Sequence, residues 1–260
     1  MWYFETLLDT NQTANAEAGF YGIRNKANKQ TRLYLEASFF LAICYLRQKR
    51  IREAKPLLRG VLAGLNKEQT APTRQFLQKR IIERIEEESI LVELIGTGCG
   101  ELKEKQIQDL TVELVKLTED EVLDLLGRNI PYEAFKLLQD MRADAILQLS
   151  VPDRKLLPAP GFATGERAVG KRAFAVLKRI GWKTLCDSKS PLYVLWAKNV
   201  KEVYSTSYFS AAIVQAFNNW RIGIPFLAAG VSAIAMRYAA EEFCLSTKPD
   251  SIMEIRRKKT

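Results

Sequence analysis

The chain contains no histidine. Imidazole is the usual general base, the activator of serine and cysteine nucleophiles and the commonest metal ligand near neutral pH. Its absence excludes Ser–His and Cys–His catalysis outright. Cysteine is sparse: Cys44, Cys99, Cys186 and Cys244 lie far apart, with no C-x-x-C pair. That spacing predicts free thiols in a reducing compartment rather than a disulfide frame or a zinc site. No run shows sustained apolar–polar alternation between turn residues, so no sheet is expected. The opening MWYFETLLDTNQ has no basic segment followed by an apolar one, so no secretory signal is expected. These absences together predict a non-enzymatic cytoplasmic protein that needs no cofactor or metal.

Charge is abundant but comes in blocks. The net charge is +9. Gly22 to Gly60 holds ten Lys/Arg against two Asp/Glu, Glu83 to Asp144 seven against sixteen, and Val151 to Trp220 eleven against four. Such alternation suits docking between segments or recognition of an acidic partner, although solvated faces of charged helices give the same pattern.

Apolar residues recur at helical spacing nearly everywhere, which predicts an all-α fold. Between Leu33 and Leu65 the stripe includes Leu41, Tyr45, Ala54, Leu58 and Val61. A long helix is expected from Pro72 to Ile95, with Phe76, Ile81, Ile82, Ile85, Ser89, Val92 and Ile95 on one stripe and Gln, Lys, Arg and Glu opposite. The glycines of GTGCGE, Gly96 to Glu101, break it. Thr118 and Glu121 have capping-box spacing. Gly127 is placed to end the short helix that follows, and Pro131 to open the next. The proline- and glycine-rich stretch Val151 to Arg167 reads as a linker. The expected organisation is therefore an interaction or shielding region over 1–150, a linker over 151–166, and a C-terminal helical region over 167–260.

One stretch, SFFLAICYLRQKRIREAKPLL, resembles a tetratricopeptide repeat over residues 34–67. That pattern calls for a large residue, Leu-Gly, Tyr, and then Ala with an aromatic four positions on. Ser38, Leu41-Ala42, Tyr45, and Ala54 with Leu58 occupy those positions. Ser38 departs from the large residue and Leu58 from the aromatic. A shift of 34 residues puts Lys79 on the tyrosine position and Glu88 on the alanine, so the next unit does not match. The resemblance implies a helical hairpin suited to protein contacts, which a generic antiparallel helix pair would also provide.

GERAVGKR, Gly165 to Arg172, has Walker A spacing. Arg172 stands where a magnesium-binding hydroxyl belongs, and a proline-rich loop replaces the required strand, so nucleotide binding is not expected. The basic helix 166–186 carries Lys171, Arg172, Lys178, Arg179 and Lys183. No recognisable nucleic-acid motif accompanies them, and an anionic membrane surface fits basic flanks around an apolar hairpin better.

That hairpin is the most distinctive feature. From Val203 to Met236 the only charge is Arg221. Asn218, Asn219, Gly223 and Pro225 suggest a turn between two helices. Phe209, Ile213, Phe217, Trp220, Ile224, Phe226, Leu227, Val231 and Ile234 would form the membrane- or partner-facing surface. Small residues from Ala228 to Ala235 permit close packing in a bilayer or a core. Burial is the expectation for the resting state, with Arg237 reaching the surface if the second helix inserts. The leading functional expectation is a regulated toxin- or defence-type effector, sequestered until a partner or linker proteolysis releases it. Arg154, Lys155 and Arg167 are the candidate cleavage sites. The alternative is a soluble helical adaptor. Protein partners are expected under both, with peripheral or inserted placement at the inner membrane face under the first; oligomerisation is left open.

Overall fold

The computed structural model describes residues 1–67, 70–98, 100–158, 164–188, 190–198, 206–238, 240–247 and 252. Among these residues the chain forms fourteen helices and no strand. The all-α expectation holds. The contacts divide the chain into two units, residues 1–92, 136–159 and 250–260, and residues 93–135 and 160–249. Each unit thus combines separated segments, a division different from the sequence boundary near residue 150. The acidic residues 93–135 belong with the basic C-terminal half.

The first unit holds α1 (Trp2–Asp9), α2 (Thr13–Lys26), α3 (Arg32–Arg47), α4 (Ile51–Leu65), most of α5 (Ala71–Leu94), most of α8 (Tyr132–Leu147) and α9 (Val151–Arg154). Helices α3 and α4 pack against each other. The reversal between them places Lys49 at φ 59°. Ala42, Ala54 and Leu58 are buried between the flanking helices. Ser38 is buried too, and accepts a hydrogen bond from Arg24 Nε of α2 at 3.1 Å. The position that an aromatic fills in the repeat pattern is here a polar contact to the preceding helix.

Helix α5 departs from its sequence reading. Glu86 and Glu88 are fully buried, whereas Phe76, expected on the apolar stripe, is 48 % exposed. Buried carboxylates are tolerable only when paired. Arg47 Nε reaches Glu88 at 2.7 Å and Arg84 Nε approaches it at 3.0 Å. Arg142 of α8 pairs with Glu86. Outside this core, two ion pairs join α4 to α8: Lys55 Nζ to Asp140 at 2.8 Å, and Arg59 Nε to Asp144 at 3.1 Å. Both span 85 residues of sequence, so the two helices run side by side in the same direction. Here the charge blocks serve internal docking.

The second unit holds α6 (Glu104–Leu114), α7 (Glu119–Arg128), α10 (Glu166–Cys186), α11 (Pro191–Ala197), α12 (Thr206–Asn219), α13 (Pro225–Ala235) and α14 (Ala240–Thr247). The capping box at Thr118 and Glu121 is present. Gly127 does not end α7, which continues to Arg128 and is capped by Asn129. Its role is close packing: a Cβ on Gly127 would lie 1.9 Å from the Glu166 carbonyl oxygen, and one on Gly170 1.8 Å from that of Leu123. Only glycine permits α7 and α10 to cross this closely. Arg167 pairs with Asp120 and Asp124, and Arg128 with Glu166, along the same crossing.

A buried carboxyl in the first unit gives a pH signature. Glu5 Oε1 on α1 is buried without a hydrogen-bond partner. Burial, then the nearby charges of Glu36 and Asp9, push its pKa from 4.5 up to about 7, against the opposing pull of Arg84 and the N-terminal ammonium. The folded state therefore binds this proton more tightly than the unfolded one. Its contribution is complete below pH 4.5 and is lost as pH rises through 7. Glu5→Gln should remove a decline of about 3 kcal/mol across that window. The measurement is the difference in unfolding free energy between wild type and variant, taken at successive pH values; a difference constant with pH would contradict the assignment.

Candidate functional site

The uncharged stretch folds as α12 and α13, which pack against each other and against α6. The reversal between them occurs at Arg221, whose φ of 54° is left-handed, and Ile222 N–H bonds the Phe217 carbonyl at 3.0 Å. The glycine-rich loop that ends α5 sits on this reversal. Gly96 N–H donates to the Arg221 carbonyl at 3.0 Å, and Gly223 N–H to that of Thr97 at 2.8 Å. Leu102 N–H donates to Asn218 Oδ1 at 3.0 Å. Gly98, at φ 111°, bridges to Gly223 so closely that a Cβ on it would lie 2.4 Å from the Gly223 carbonyl oxygen. The glycines of GTGCGE therefore do more than stop a helix; they form a backbone clasp over the turn.

Every residue from Leu227 to Ala235 is buried. A helix apolar on all sides belongs inside a core or a bilayer, and α13 is enclosed by α6, α7, α10 and α12. Gly230 admits the Leu126 side chain, which would lie 2.6 Å from an added Cβ. Phe209, Ile213, Phe217, Trp220, Leu227, Val231 and Ile234 are all buried, and Ile224 and Phe226 half-buried. Among the described residues no helix is long and apolar enough to cross a membrane. Arg237, just beyond α13, is exposed. Its guanidinium caps the end of α6, donating to the carbonyls of Leu114, Val115 and Leu117.

Next to α12 lies an aromatic cluster. Trp196 meets Phe209 edge-on at 5.1 Å between ring centres, and Phe243 of α14 lies 5.6 Å from Trp196. Lys178 Nζ stands 4.8 Å above the Phe243 ring, and burial lowers its pKa. Cys186 and Cys244 are disulfide-bonded here, which corrects the expectation of free thiols. Sequence spacing carries no information on spatial approach, and the end of α10 happens to meet α14. Cys44 is a free, buried thiol whose pKa burial pushes up to about 12. Cys99 lies outside the described residues.

The other sequence-marked residues are dispersed. Glu166 to Arg172 are helical within α10, and Gly170 packs against Leu123 of α7. The backbone N–H groups there serve the helix rather than a phosphate nest. Lys171 is exposed, Arg172, Lys178 and Arg179 are half-buried, and the side chain of Lys183 lies outside the described set. The linker is partly ordered as α9. Arg154 donates to the carbonyls of Leu149 and Leu147, each at 2.8 Å. Arg167 is exposed but ion-paired to Asp120 and Asp124 of α7, and Lys155 is exposed. Part of the linker, residues 159–163, and most of the basic tail lie outside the described residues.

A cleft of about 210 Å³ opens in the first unit beside α5 and α9, lined by Phe76, Lys79, Leu149, Leu156 and Leu157 among others. Asp153 also lines it, but hydrogen bonds from Arg74, Ser150 and Gln75 hold its pKa down to about 2. Sequence reading missed this cleft because Phe76 fitted the apolar stripe of α5. No protein-family model, curated protein or solved structure matches the chain.

The clasp generates a direct test. Gly98→Ala combines a left-handed φ with a backbone clash, and should destabilise the second unit by about 2–3 kcal/mol. Gly60, inside α4 with open space around it, is the control: Gly60→Ala should be neutral or stabilising by up to about 1 kcal/mol. Urea unfolding followed by tryptophan fluorescence reads both, and equal midpoints would remove the clasp from the account.

Proposed function

We propose that the protein is a non-enzymatic helical adaptor that works by binding protein partners, with the tetratricopeptide-like pair α3–α4 as part of its scaffold. The observation that carries this reading is the cleft of the first unit, where Phe76 is 48 % and Leu156 64 % exposed. Exposed large apolar side chains around a concavity are what partner recognition uses. The cleft's chemistry supports one kind of occupant. Asp153 is neutralised by Arg74 while Lys79 is exposed at the rim, so the partner segment presents apolar side chains flanked by Asp or Glu. Panning a displayed library of random peptides against the full chain should enrich such sequences. Binding should fall at least about tenfold in Phe76→Asp and Leu156→Asp at unchanged unfolding midpoint. Enrichment indifferent to both substitutions would defeat this reading.

A second reading, the sequestered membrane-acting effector, is favoured by one observation: α13 is uncharged along its length and buried on every face. Release would follow partner binding or cutting of the linker at Lys155, and the freed α12–α13 pair would engage an anionic membrane. Flotation of the full chain with anionic liposomes, before and after limited trypsin digestion, tests it. Cutting at Lys155 should bring the C-terminal part to the liposomes, and Ala229→Arg should abolish that, since a mid-bilayer charge costs at least about 2.5–3.5 kcal/mol. Far-UV circular dichroism controls for folding of the variant. A cut chain that stays off the liposomes leaves the adaptor reading alone.

A further inference from the structure

We propose that the Cys186–Cys244 disulfide is a reducible latch: a dithiol reductant releases α14 from α10 and α11 and bares Trp196, Phe209 and Phe243. Helix α14 packs on α10 and α11. The helix has eight residues, too few to persist unaided in water. Of its described side chains, Phe243 is fully buried, while Glu241, Glu242 and Leu245 are exposed. Its described attachments include the ring contacts of Phe243 with Trp196, Tyr238 and Lys178, and a hydrogen bond from Trp182 Nε1 to the Cys244 carbonyl at 3.3 Å. The disulfide joins positions 58 residues apart, so its loss frees α14 to sample a large volume.

The interior of the second unit has separate support. Helix α13 is enclosed by α6, α7, α10 and α12, and the turn before it is held by backbone hydrogen bonds from Gly96 to Arg221 and from Gly223 to Thr97. Opening is therefore confined to the α14 end. The half-buried anchor just before it, Tyr238 Oη donating to Glu119 Oε2 at 2.7 Å, marks where the released segment starts.

Cysteine burial sets the direction of attack. Cys186 is buried and Cys244 half-buried, so a thiolate of the dithiol meets Cys244 Sγ. The S–S bond breaks as a mixed disulfide forms, and Cys186 leaves as a thiolate that takes up a proton. The second thiol of the reductant then displaces Cys244, which is protonated in turn. Two electrons and two protons pass to the protein, and the reductant ends as a cyclic disulfide. Cys44 does not compete for these sulfurs, because burial keeps its thiol protonated.

The test uses the full chain carrying Cys99→Ser, oxidised or reduced with dithiothreitol, with the bond verified by mass spectrometry of unreduced peptides. Amide exchange over 240–247 should quicken at least about tenfold on reduction while 225–235 stays protected. Fluorescence of an apolar dye should rise in parallel. Cys186→Ser/Cys244→Ser should behave as the reduced chain under both conditions. Three results overturn the latch: no Cys186–Cys244 bond in the oxidised chain, equal exchange over 240–247 in both states, or joint opening of 225–235 with α14.

Discussion

Two carboxylates that cannot be left alone organise the first unit. Glu86 and Glu88 lie on the buried face of α5 with no access to water, where an unpaired charge would unfold the site or be neutralised. Glu88 is met by Arg47 from α3 and Arg84 from its own helix, and Glu86 by Arg142 from α8. Arg47 also donates to the Leu8 carbonyl at the end of α1. One pair of buried charges thereby fixes where α1, α3 and α8 stand around α5. Apolar packing supplies the larger share of burial energy but leaves helices free to slide; paired charges with fixed donor geometry specify a register.

The second unit is arranged by the opposite means. Its central helix carries no charge, and its positions are set by the smallness of residues: Gly127 and Gly170 at the α7–α10 crossing, Gly230 under Leu126, and Gly98 against Gly223 over the turn. Exposed ion pairs at Arg167 and Arg128 follow that crossing without causing it. Pairs so open to water are worth little individually, whereas an added methyl at Gly170 would meet backbone that cannot move aside.

Local signals were legible in the sequence. The span of α10 follows from apolar spacing, the capping box at Thr118 from its hydroxyl–carboxylate spacing, and burial of the α12–α13 stretch from its want of charge. What the sequence hid was contact between distant segments. Glu86 and Glu88 read as part of a solvated face, since nothing local announces that Arg142 and Arg47 will come to them. Gly127 has the composition of a helix stop and serves as a contact surface instead. Cys186 and Cys244 look like scattered thiols until α10 and α14 meet. The exposed Phe76 fits the apolar period and yet borders a cleft, because periodicity marks a face without saying what covers it.

The buried pair between α5 and α8 also sets a timetable. Glu86 and Arg142 are 56 residues apart, so during synthesis the carboxylate emerges well before its guanidinium. At about 5–20 residues per second the wait is roughly 3–11 s. Throughout it, closing the first unit around α5 would bury Glu86 without its counterion, so that surface stays hydrated and open. Most of the residues made in the interval, 93–135, belong to the other unit, whose remaining helices are not yet translated. Nascent chains stalled in this interval would expose apolar surface from both units at once, which makes it the stretch of synthesis where a chaperone has most to cover.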